Sequence, residues 1–359
     1  MNQSADKKAI EDLKCLSGFQ KEPSKITAYL FNLIIYTREE RRVVYLKEIV
    51  LSIVDKFPCR VIFIENHSDS SGDCLKASTT SLNGKGNASI SCEQINIHVS
   101  DSEIQKVPFV ILPLLIPDLP IYLIWGQDPT VDNAILTSLQ KYACRLIFDS
   151  ESTENLQNFS TKILKIIAST RIEIIDTQWA TLSGWREVLA QVFDNETKLQ
   201  HLRHALRLQI TYNSHINEIR HHPQVNAIFF QAWIADRLGW EFQSLQQTAE
   251  ACVLNYKRDG KDIIIALMPE KKPEMMPGRV ICFEMQSEEG FNYLIQREES
   301  TSVIVHITSD DYCEMPFIIP LKDVVKGTPF MREIFYRPCS SHYKGMLKLV
   351  SQIPFKENP

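Results

Sequence analysis

The segment from Lys25 to Glu65 constrains the fold more than any other part of the chain. Ile26, Leu30, Phe31, Leu33, Ile34 and Ile35 form a short, dense apolar run ending at Tyr36, which predicts a strand buried on both faces. Thr37, followed three residues later by Glu40, reads as a capping box that starts a helix. Val43, Leu46, Val50, Ile53, Val54 and Phe57 then recur at the spacing of one helix face. Pro58 ends that helix, and Arg60 to Glu65 (Arg-Val-Ile-Phe-Ile-Glu) predicts the next strand. Strand, helix and strand in this order make the crossover unit of a parallel sheet, since an antiparallel return needs only a tight turn.

The alternation continues downstream. His67 to Asn87 reads as a polar loop rich in serine, glycine and asparagine, and Ala88 to Val99 as a strand. A strand at Leu119 to Trp125 is approached through Pro113, Pro117 and Pro120. A helix at Val131 to Ala143, a strand at Arg145 to Phe148, a helix at Thr153 to Ala168 and a strand at Ile172 to Ile175 follow. Residues 24–176 are therefore expected to form an α/β domain with a mostly parallel sheet, preceded by a flexible arm over residues 1–23. The pattern then changes. Helices are expected at Trp185 to Phe193, Asn195 to Leu202 and Gln224 to Leu238, the last closed by Gly239. Strand-like runs occupy 249–256, 262–268, 279–285, 291–296 and 303–307, with hairpin signals at Asp259-Gly260 and Glu289-Gly290. Residues 177–359 are thus expected to be a helical segment plus an α+β domain with an antiparallel sheet, closed by a helix near Phe330 to Tyr336.

Charge and composition narrow the partners. Lysine and arginine number 39 against 44 acidic residues, a net charge of -5, so nothing in the global balance attracts a nucleic acid. The longest nearly uncharged apolar stretch, Val107 to Trp125, carries Asp118 and four prolines, so no membrane span is expected. The opening residues Met1 to Lys8 lack the apolar core of an export signal, which makes a cytoplasmic location the expectation. In that reducing setting the nine cysteines are expected as thiols. Their closest spacing, Cys59 to Cys74, excludes a C-x-x-C motif, and Cys74 with Cys92 is the pair whose oxidation would point to redox control.

No catalytic residue, cofactor site or metal site is assigned from motifs. The only clustered glycines are Gly84 and Gly86; Ser89 stands where a dinucleotide fingerprint needs its third glycine, and a strand follows instead of a helix. His201, His204, His215, His221 and His222 crowd one segment. His201 and His204 share a predicted helix face and could chelate a metal, but Arg203 and Arg207 oppose a cation. The other readings are a solvated, partly exposed surface or a contact for a carboxylate-rich partner. There is no G-x-S-x-G elbow, and His98 and His306 sit in strand-like runs with no prepared nucleophile beside them.

The tryptophans carry more. Trp125 ends a strand, Trp179 and Trp185 flank Ser183-Gly184, and Trp240 follows a helix stop; at such places a ring packs while its N–H finds a partner. Arg145, shortly before Asp149, and Arg186, beside Trp185, are planar donors suited to carboxylates. Trp125, Arg145, Asp149, Trp185, Arg186 and Trp240 are the candidate residues of a domain seam or a partner-binding surface, in structural or interface roles rather than catalytic ones.

Five segments in this region, taken in order, resemble one family. They are Phe57-Pro58-Cys59-Arg60-Val61-Ile62, Leu114-Leu115-Ile116-Pro117-Asp118-Leu119-Pro120 running into Trp125, and Cys144-Arg145-Leu146-Ile147-Phe148-Asp149-Ser150. Trp179-Ala180-Thr181-Leu182-Ser183-Gly184-Trp185-Arg186-Glu187 and Ala232-Trp233-Ile234-Ala235-Asp236-Arg237-Leu238-Gly239-Trp240 complete the set. The chain is similar in these places to the glucose-6-phosphate dehydrogenase assembly proteins (OpcA). It departs from them at Ile124 and Gly126, where the family has a second tryptophan, and at Thr181 and Cys144, where it has arginine and aspartate. The resemblance implies a non-catalytic effector that binds glucose-6-phosphate dehydrogenase and promotes its active oligomer in the oxidative pentose phosphate pathway. It also implies, weakly, control by redox state. The competing readings are an α/β enzyme acting on a sugar phosphate, with Glu65, His67 and Asp149 at strand ends, and a scaffold for another metabolic enzyme.

Overall fold

The computed structural model describes residues 29–38, 40–67, 73–83, 91–217, 220, 222–248, 250–299, 301–321 and 328–355. The arm expected over residues 1–23 and the Gly84/Gly86 pair lie outside them. The chain divides into two compact units, residues 1–149 with 171–174 and residues 150–170 with 175–359.

The first unit is built on a seven-stranded sheet. Its strands are β1 (Asn32–Thr37), β2 (Arg60–His67), β3 (Leu75–Asn83), β4 (Ser91–Ser100), β5 (Ile121–Trp125), β6 (Arg145–Phe148) and β7 (Glu173–Asp176), in the order β3-β4-β2-β1-β5-β6-β7. β1 pairs in parallel with β2 and β5, β2 with β4, and β5 with β6. The reason is legible residue by residue: Val61, Ile62, Phe63 and Ile64 are all fully buried, as a central parallel strand with both faces covered requires. Helix α1 (Glu40–Val54) connects β1 to β2 and buries Leu46, Val50, Ile53 and Val54. The chain runs outward through β2 and β4, then returns to lay β5 against the other side of β1. That return places the reversal of strand order between the carboxyl ends of β1 and β5.

One expectation needs correction here, and one falls outside the described residues. Thr37 is the last residue of β1 and α1 begins at Glu40, with residue 39, and so the expected cap between them, outside the described residues. The supposed polar loop after His67 contains β3, an antiparallel edge strand whose sequence, Leu-Lys-Ala-Ser-Thr-Thr-Ser-Leu-Asn, has no apolar alternation. An edge strand is held by its ladder to one neighbour and keeps polar residues on its open side, so burial leaves no mark in its sequence. The proline-bracketed segment before β5 also contains a short helix, α2 (Val107–Ile111), and is clamped by buried Asn32. The Asn32 amide donates to the Ile116 carbonyl (3.0 Å) and accepts from the Ile116 N–H (2.9 Å). A further helix, α3 (Ala134–Leu139), leads from β5 towards β6.

The second unit holds helices α4 (Leu156–Ser169), α5 (Thr177–Thr181), α6 (Ser183–Val192), α7 (Glu196–Arg203) and α8 (Val225–Leu238). Two more, α9 (Thr328–Phe335) and α10 (Ser341–Val350), follow its sheet in the chain, and α10 packs on α8 and α4. Its nine-stranded sheet is formed by β8 (Ala205–Asn213), β9 (Glu241–Gln247), β10 (Cys252–Arg258), β11 (Lys261–Glu270) and β12 (Val280–Ser287), with β13 (Asn292–Glu299), β14 (Ser302–Ser309), β15 (Tyr312–Cys313) and β16 (Phe317–Pro320). The order is β15-β14-β13-β12-β8-β11-β10-β9, with β16 on β14, and every pairing is antiparallel except that of β8 with β11. β8 was not among the expected strands, although it lies at the centre. Its Leu208-Gln209-Ile210-Thr211 alternation is short and sits directly behind a helix.

Helix α8 packs on β8 and β11, and α7 on β12, so one face of this sheet is covered. Leu254, Tyr256, Ile263, Ile265, Phe283, Ile295, Val303 and Val305 point to that side and are buried. Asp259 (φ 51°) and Gly260 (φ 81°) both occupy the left-handed region, the geometry of the two-residue hairpin turn their sequence predicts. Gly239 (φ 69°) closes α8 as expected, and the Trp240 N–H reaches back to the Ala235 carbonyl.

Candidate functional site

In the first unit most of the chemistry-bearing side chains collect at the carboxyl edge of the parallel sheet, Arg145 at the amino end of β6 being the exception. Trp125, the last residue of β5, is fully buried and stacks on its register partner Tyr36 with ring centroids 4.2 Å apart and planes 12° from parallel. The Tyr36 hydroxyl accepts from the side-chain amides of Asn66 (3.1 Å) and Asn133 (2.9 Å). Asn66 also donates to Asp101 (2.8 Å), which pairs with Arg38 (2.7 Å). Burial raises the Tyr36 phenol, which keeps it neutral and able to serve this network. Arg145 opens β6, is buried, and lies over the ring of Tyr122, its register partner. Asp149 is ion-paired with Arg42 of α1, both of them buried, a partner that sequence reading does not single out. A buried charge pair of this kind is costly to break from either side, by about 3–5 kcal/mol, because it strands the other charge.

The second unit places its half of the set inside a helical layer. Asp176 caps α5, accepting from the backbone N–H groups of Gln178 and Trp179 and from both the N–H and the hydroxyl of Ser150. Complete burial nevertheless pushes its carboxyl up to about 6, since desolvation outweighs four donors. Trp185 on α6 is buried against Phe230 at 5.8 Å. The Arg186 guanidinium lies 3.8 Å from the centre of the Trp179 ring, donates to the Trp179 carbonyl (2.7 Å) and faces Glu333 (3.6 Å), which Arg337 also holds (2.9 Å). Burial lowers the Arg186 guanidinium to about 10. Trp240 is buried beside Tyr256, whose hydroxyl donates to Gln231 (2.7 Å).

Trp125, Arg145 and Asp149 thus fall in one unit and Trp185, Arg186 and Trp240 in the other. Five are buried, and the Arg186 side chain is only 12% exposed. The indole N–H groups of Trp125, Trp185 and Trp240 find no acceptor among the described residues, contrary to the expectation that each would. Their rings are placed for packing area, and the orphaned donor costs about 1–3 kcal/mol against it.

The histidine-rich segment also reads differently in three dimensions. His201 is buried, stacks on Phe291 (4.0 Å) and bonds the Tyr293 hydroxyl (2.7 Å), while His204 turns to Glu289. The two rings serve different partners and do not form a chelate; His221 lies outside the described residues. Two cysteines distant in sequence do meet: the Cys59 N–H donates to Cys92 Sγ (3.4 Å). A side-chain hydrogen bond between the two thiols, helped by that N–H, lowers the Cys92 thiol to about 7, and the side-chain bond, with burial, pushes the Cys59 thiol well up. Cys74 instead bonds Ser100.

No helix among the described residues is long and apolar enough to cross a membrane. Over 91% of this chain and 97% of its own, the open form of KijD10, a 3-ketoreductase from Actinomadura kijaniata, superimposes with a TM-score of 0.51 at 10% identity, which is a likeness of fold. The chain is 26% identical to the OxPP cycle protein OpcA of Synechococcus elongatus over 193 residues, 53% of this chain and 41% of that protein. It is also 26% identical to the protein of that name from Synechocystis sp. over 154 residues, 43% of this chain and 31% of that one. The matches therefore span about a third to two fifths of the length of these relatives. Two family profiles match in succession, one described as the glucose-6-phosphate dehydrogenase subunit N-terminal domain over residues 51–165 and the other as its C-terminal domain over residues 172–306. The ordered segments read from the sequence fall inside those two spans, and the chain belongs to the glucose-6-phosphate dehydrogenase assembly (OpcA) family.

Proposed function

We propose that this protein is a non-catalytic partner of glucose-6-phosphate dehydrogenase that favours the enzyme's active oligomer in the oxidative pentose phosphate pathway. The observation that carries the reading is the pair of consecutive family matches, which runs through both units. The likeness to a ketoreductase does not oppose it, because fold alone does not supply function. The segment where a dinucleotide fold places its glycines follows β1 and here reads Thr37-Arg38-Glu39-Glu40, with none of the glycines that let a backbone approach a pyrophosphate. Cytoplasmic location and the lack of a nucleic-acid partner belong to the same proposal.

Burial of Trp125, Arg145, Asp149, Trp185, Arg186 and Trp240 supports a scaffolding role for them. The docking surface is better sought on the face of the nine-stranded sheet away from α8. Ile264, Met268, Leu294, Ile304 and His306 lie there half-buried, and Ile318 of β16, across from Ile304, is 60% exposed. Gln209 and Glu284 are hydrogen-bonded between them (2.9 Å). Apolar side chains mixed with a few polar ones over a rigid sheet are what a non-obligate interface of about 800 Å² per partner uses. An effector shifts assembly only by its differential affinity for the assembled form, and a tenfold gain asks for about 1.4 kcal/mol.

The purified protein and the dehydrogenase from its own cell should comigrate in size-exclusion chromatography with light scattering. Dehydrogenase activity should rise saturably as the protein is added. Separate elution at micromolar concentrations with a flat rate, substrate and cofactor present, would overturn the reading.

A further inference from the structure

Glu65, His67 and His98 stand apart from the scaffold described above. Side chains at positions i and i+2 of a strand share one face, so Glu65 and His67 of β2 point the same way. In the parallel pairing of β2 with β4, Glu65 lies opposite His98, which brings the His98 ring onto that face. The His67 Nε2 and His98 Nδ1 atoms are 3.1 Å apart, and Glu65 Oε2 is 4.0 Å from the first and 3.8 Å from the second. Among the described residues this is the one cluster of three potential metal-ligating side chains with converging donor atoms.

We propose that these three residues bind one divalent transition-metal ion of the zinc class. The in-plane point equidistant from the three donor atoms lies about 2.1 Å from each, so a tetrahedral zinc with bonds of ~2.0–2.2 Å asks Glu65 Oε2 to close on the imidazoles by about half an ångström. Two imidazoles and one carboxylate suit a borderline ion such as Zn²⁺ better than the oxygen-seeking Mg²⁺ or Ca²⁺. Glu65 is buried, while the side chains of His67 and His98 remain 37% and 40% exposed, so the remaining coordination position opens to solvent.

The surroundings are consistent with a held ligand set. Lys47 of α1 pairs with Glu65 Oε1 (2.8 Å) and so fixes the carboxylate with Oε2 towards the imidazoles, the outer-shell support that metal sites use. Two positive charges weaken the affinity: Lys47 itself, and exposed Lys76, which lies opposite His98 in the pairing of β3 with β4. The site therefore belongs in the micromolar class, not among structural zincs. It holds whether or not the assembly reading does, since it uses none of the residues on the proposed docking face.

The full chain, stripped with a chelator, is titrated with Zn²⁺ alone by calorimetry, and with Co²⁺ while visible absorption is followed. One equivalent should bind at micromolar concentration, and His67→Gln and His98→Gln should each weaken it by at least about tenfold. His204→Gln, in the histidine-rich segment, should leave it unchanged. Nitrogen chemical shifts of His67 and His98 in the native protein should move on Zn²⁺ addition, a readout that needs no variant. No uptake at micromolar Zn²⁺, uptake that survives both substitutions, or uptake lost with His204→Gln would each overturn the proposal. In that case His67 and His98 form only a hydrogen-bonded pair.

Discussion

The two sheets handle their polar side chains in opposite ways. The two central strands of the first unit's parallel sheet, β1 and β2, are apolar and fully buried over residues 33–35 and 61–64, and their polar network gathers beyond those runs at the carboxyl edge. There Tyr36, Asn66, Asn133 and Asp101 bond one another, and His67 and His98 stay half open to water beside buried Glu65. The antiparallel sheet of the second unit is covered by helices on one face among the described residues, carries Gln209, Glu284 and His306 on the other, and uses some buried polar groups as fasteners. Asn213, for example, holds the 272–276 turn, donating to the Lys272 (2.8 Å) and Met275 (2.7 Å) carbonyls. A sheet buried on two faces can present chemistry only at its ends, whereas a sheet buried on one face can present an area. On the two proposals above, the first unit takes a small ligand and the second a protein.

The comparison breaks most easily at the tryptophans. Trp125→Ala in the first unit and Trp240→Ala in the second should each lower unfolding free energy by about 3–5 kcal/mol in urea titrations, as large core truncations do. If either variant keeps its stability yet loses association with the dehydrogenase, that ring is a docking contact and the scaffolding reading fails for its unit.

Asp176 offers the next largest effect. Its native carboxyl, raised to about 6, binds a proton at pH values where the unfolded chain, near 3.8, has already released it. The native state then holds more protons than the unfolded state, so stability from this group is greatest below the unfolded value. It falls as pH rises through the window of roughly 4 to 6, by an amount of the order of 2–3 kcal/mol. Asp176→Asn should remove that slope, read as the difference between native and variant denaturation curves over the same pH range. An unchanged slope would show that the carboxylate is already ionised in the folded cap.

How much of this was legible in the sequence depends on what each element buries. The strand Arg60 to His67 and the helix Val225 to Leu238 announce themselves, because the core writes apolar residues into them at a fixed period. β3 buries little and is held by its ladder, so Ser78, Thr79 and Thr80 say nothing of it. The tryptophans and arginines were visible as residue types at element ends, but the partners of Asp149 and Arg186 come from Arg42 and Glu333, 107 and 147 residues away. The Glu65–His67 pair has strand spacing, yet His98 joins it only through the register of β2 on β4, which no local pattern encodes.

Two glycines test the packing of the units more gently. A Cβ on Gly126 would stand 2.6 Å from the Leu46 methyl and 3.1 Å from the Tyr36 carbonyl, against a fully buried side chain and a strand backbone. Gly126→Ala should cost about 1–3 kcal/mol, the usual range for overpacking. A Cβ on Gly345 of α10 would meet the Asp236 carboxylate at 2.1 Å, but Asp236 is half-exposed and its end can swing away. Alanine also gains about 0.5–1 kcal/mol in a helix interior, so Gly345→Ala should stay within about 1 kcal/mol of the native protein. Equal costs at both sites would mean that α10 is as tightly fixed as the edge of the parallel sheet.

The smallest expected change in stability accompanies the largest expected change in association. Ile318 lies on the edge strand β16, opposite Ile304 on the open face, and is 60% exposed. Ile318→Thr keeps a β-branched side chain, so the strand loses little propensity and the fold should change by no more than about 0.5 kcal/mol. If the open face carries the dehydrogenase, removing an apolar contact from it should weaken association several-fold, about 1 kcal/mol. Val44, 57% exposed on α1 of the first unit, supplies the matched control: Val44→Thr should alter neither stability nor association. Light scattering of each variant with the dehydrogenase, alongside thermal unfolding, separates the two effects. Loss of association with Val44→Thr and none with Ile318→Thr would move the protein-binding role to the first unit and invert the assignment of the two sheets.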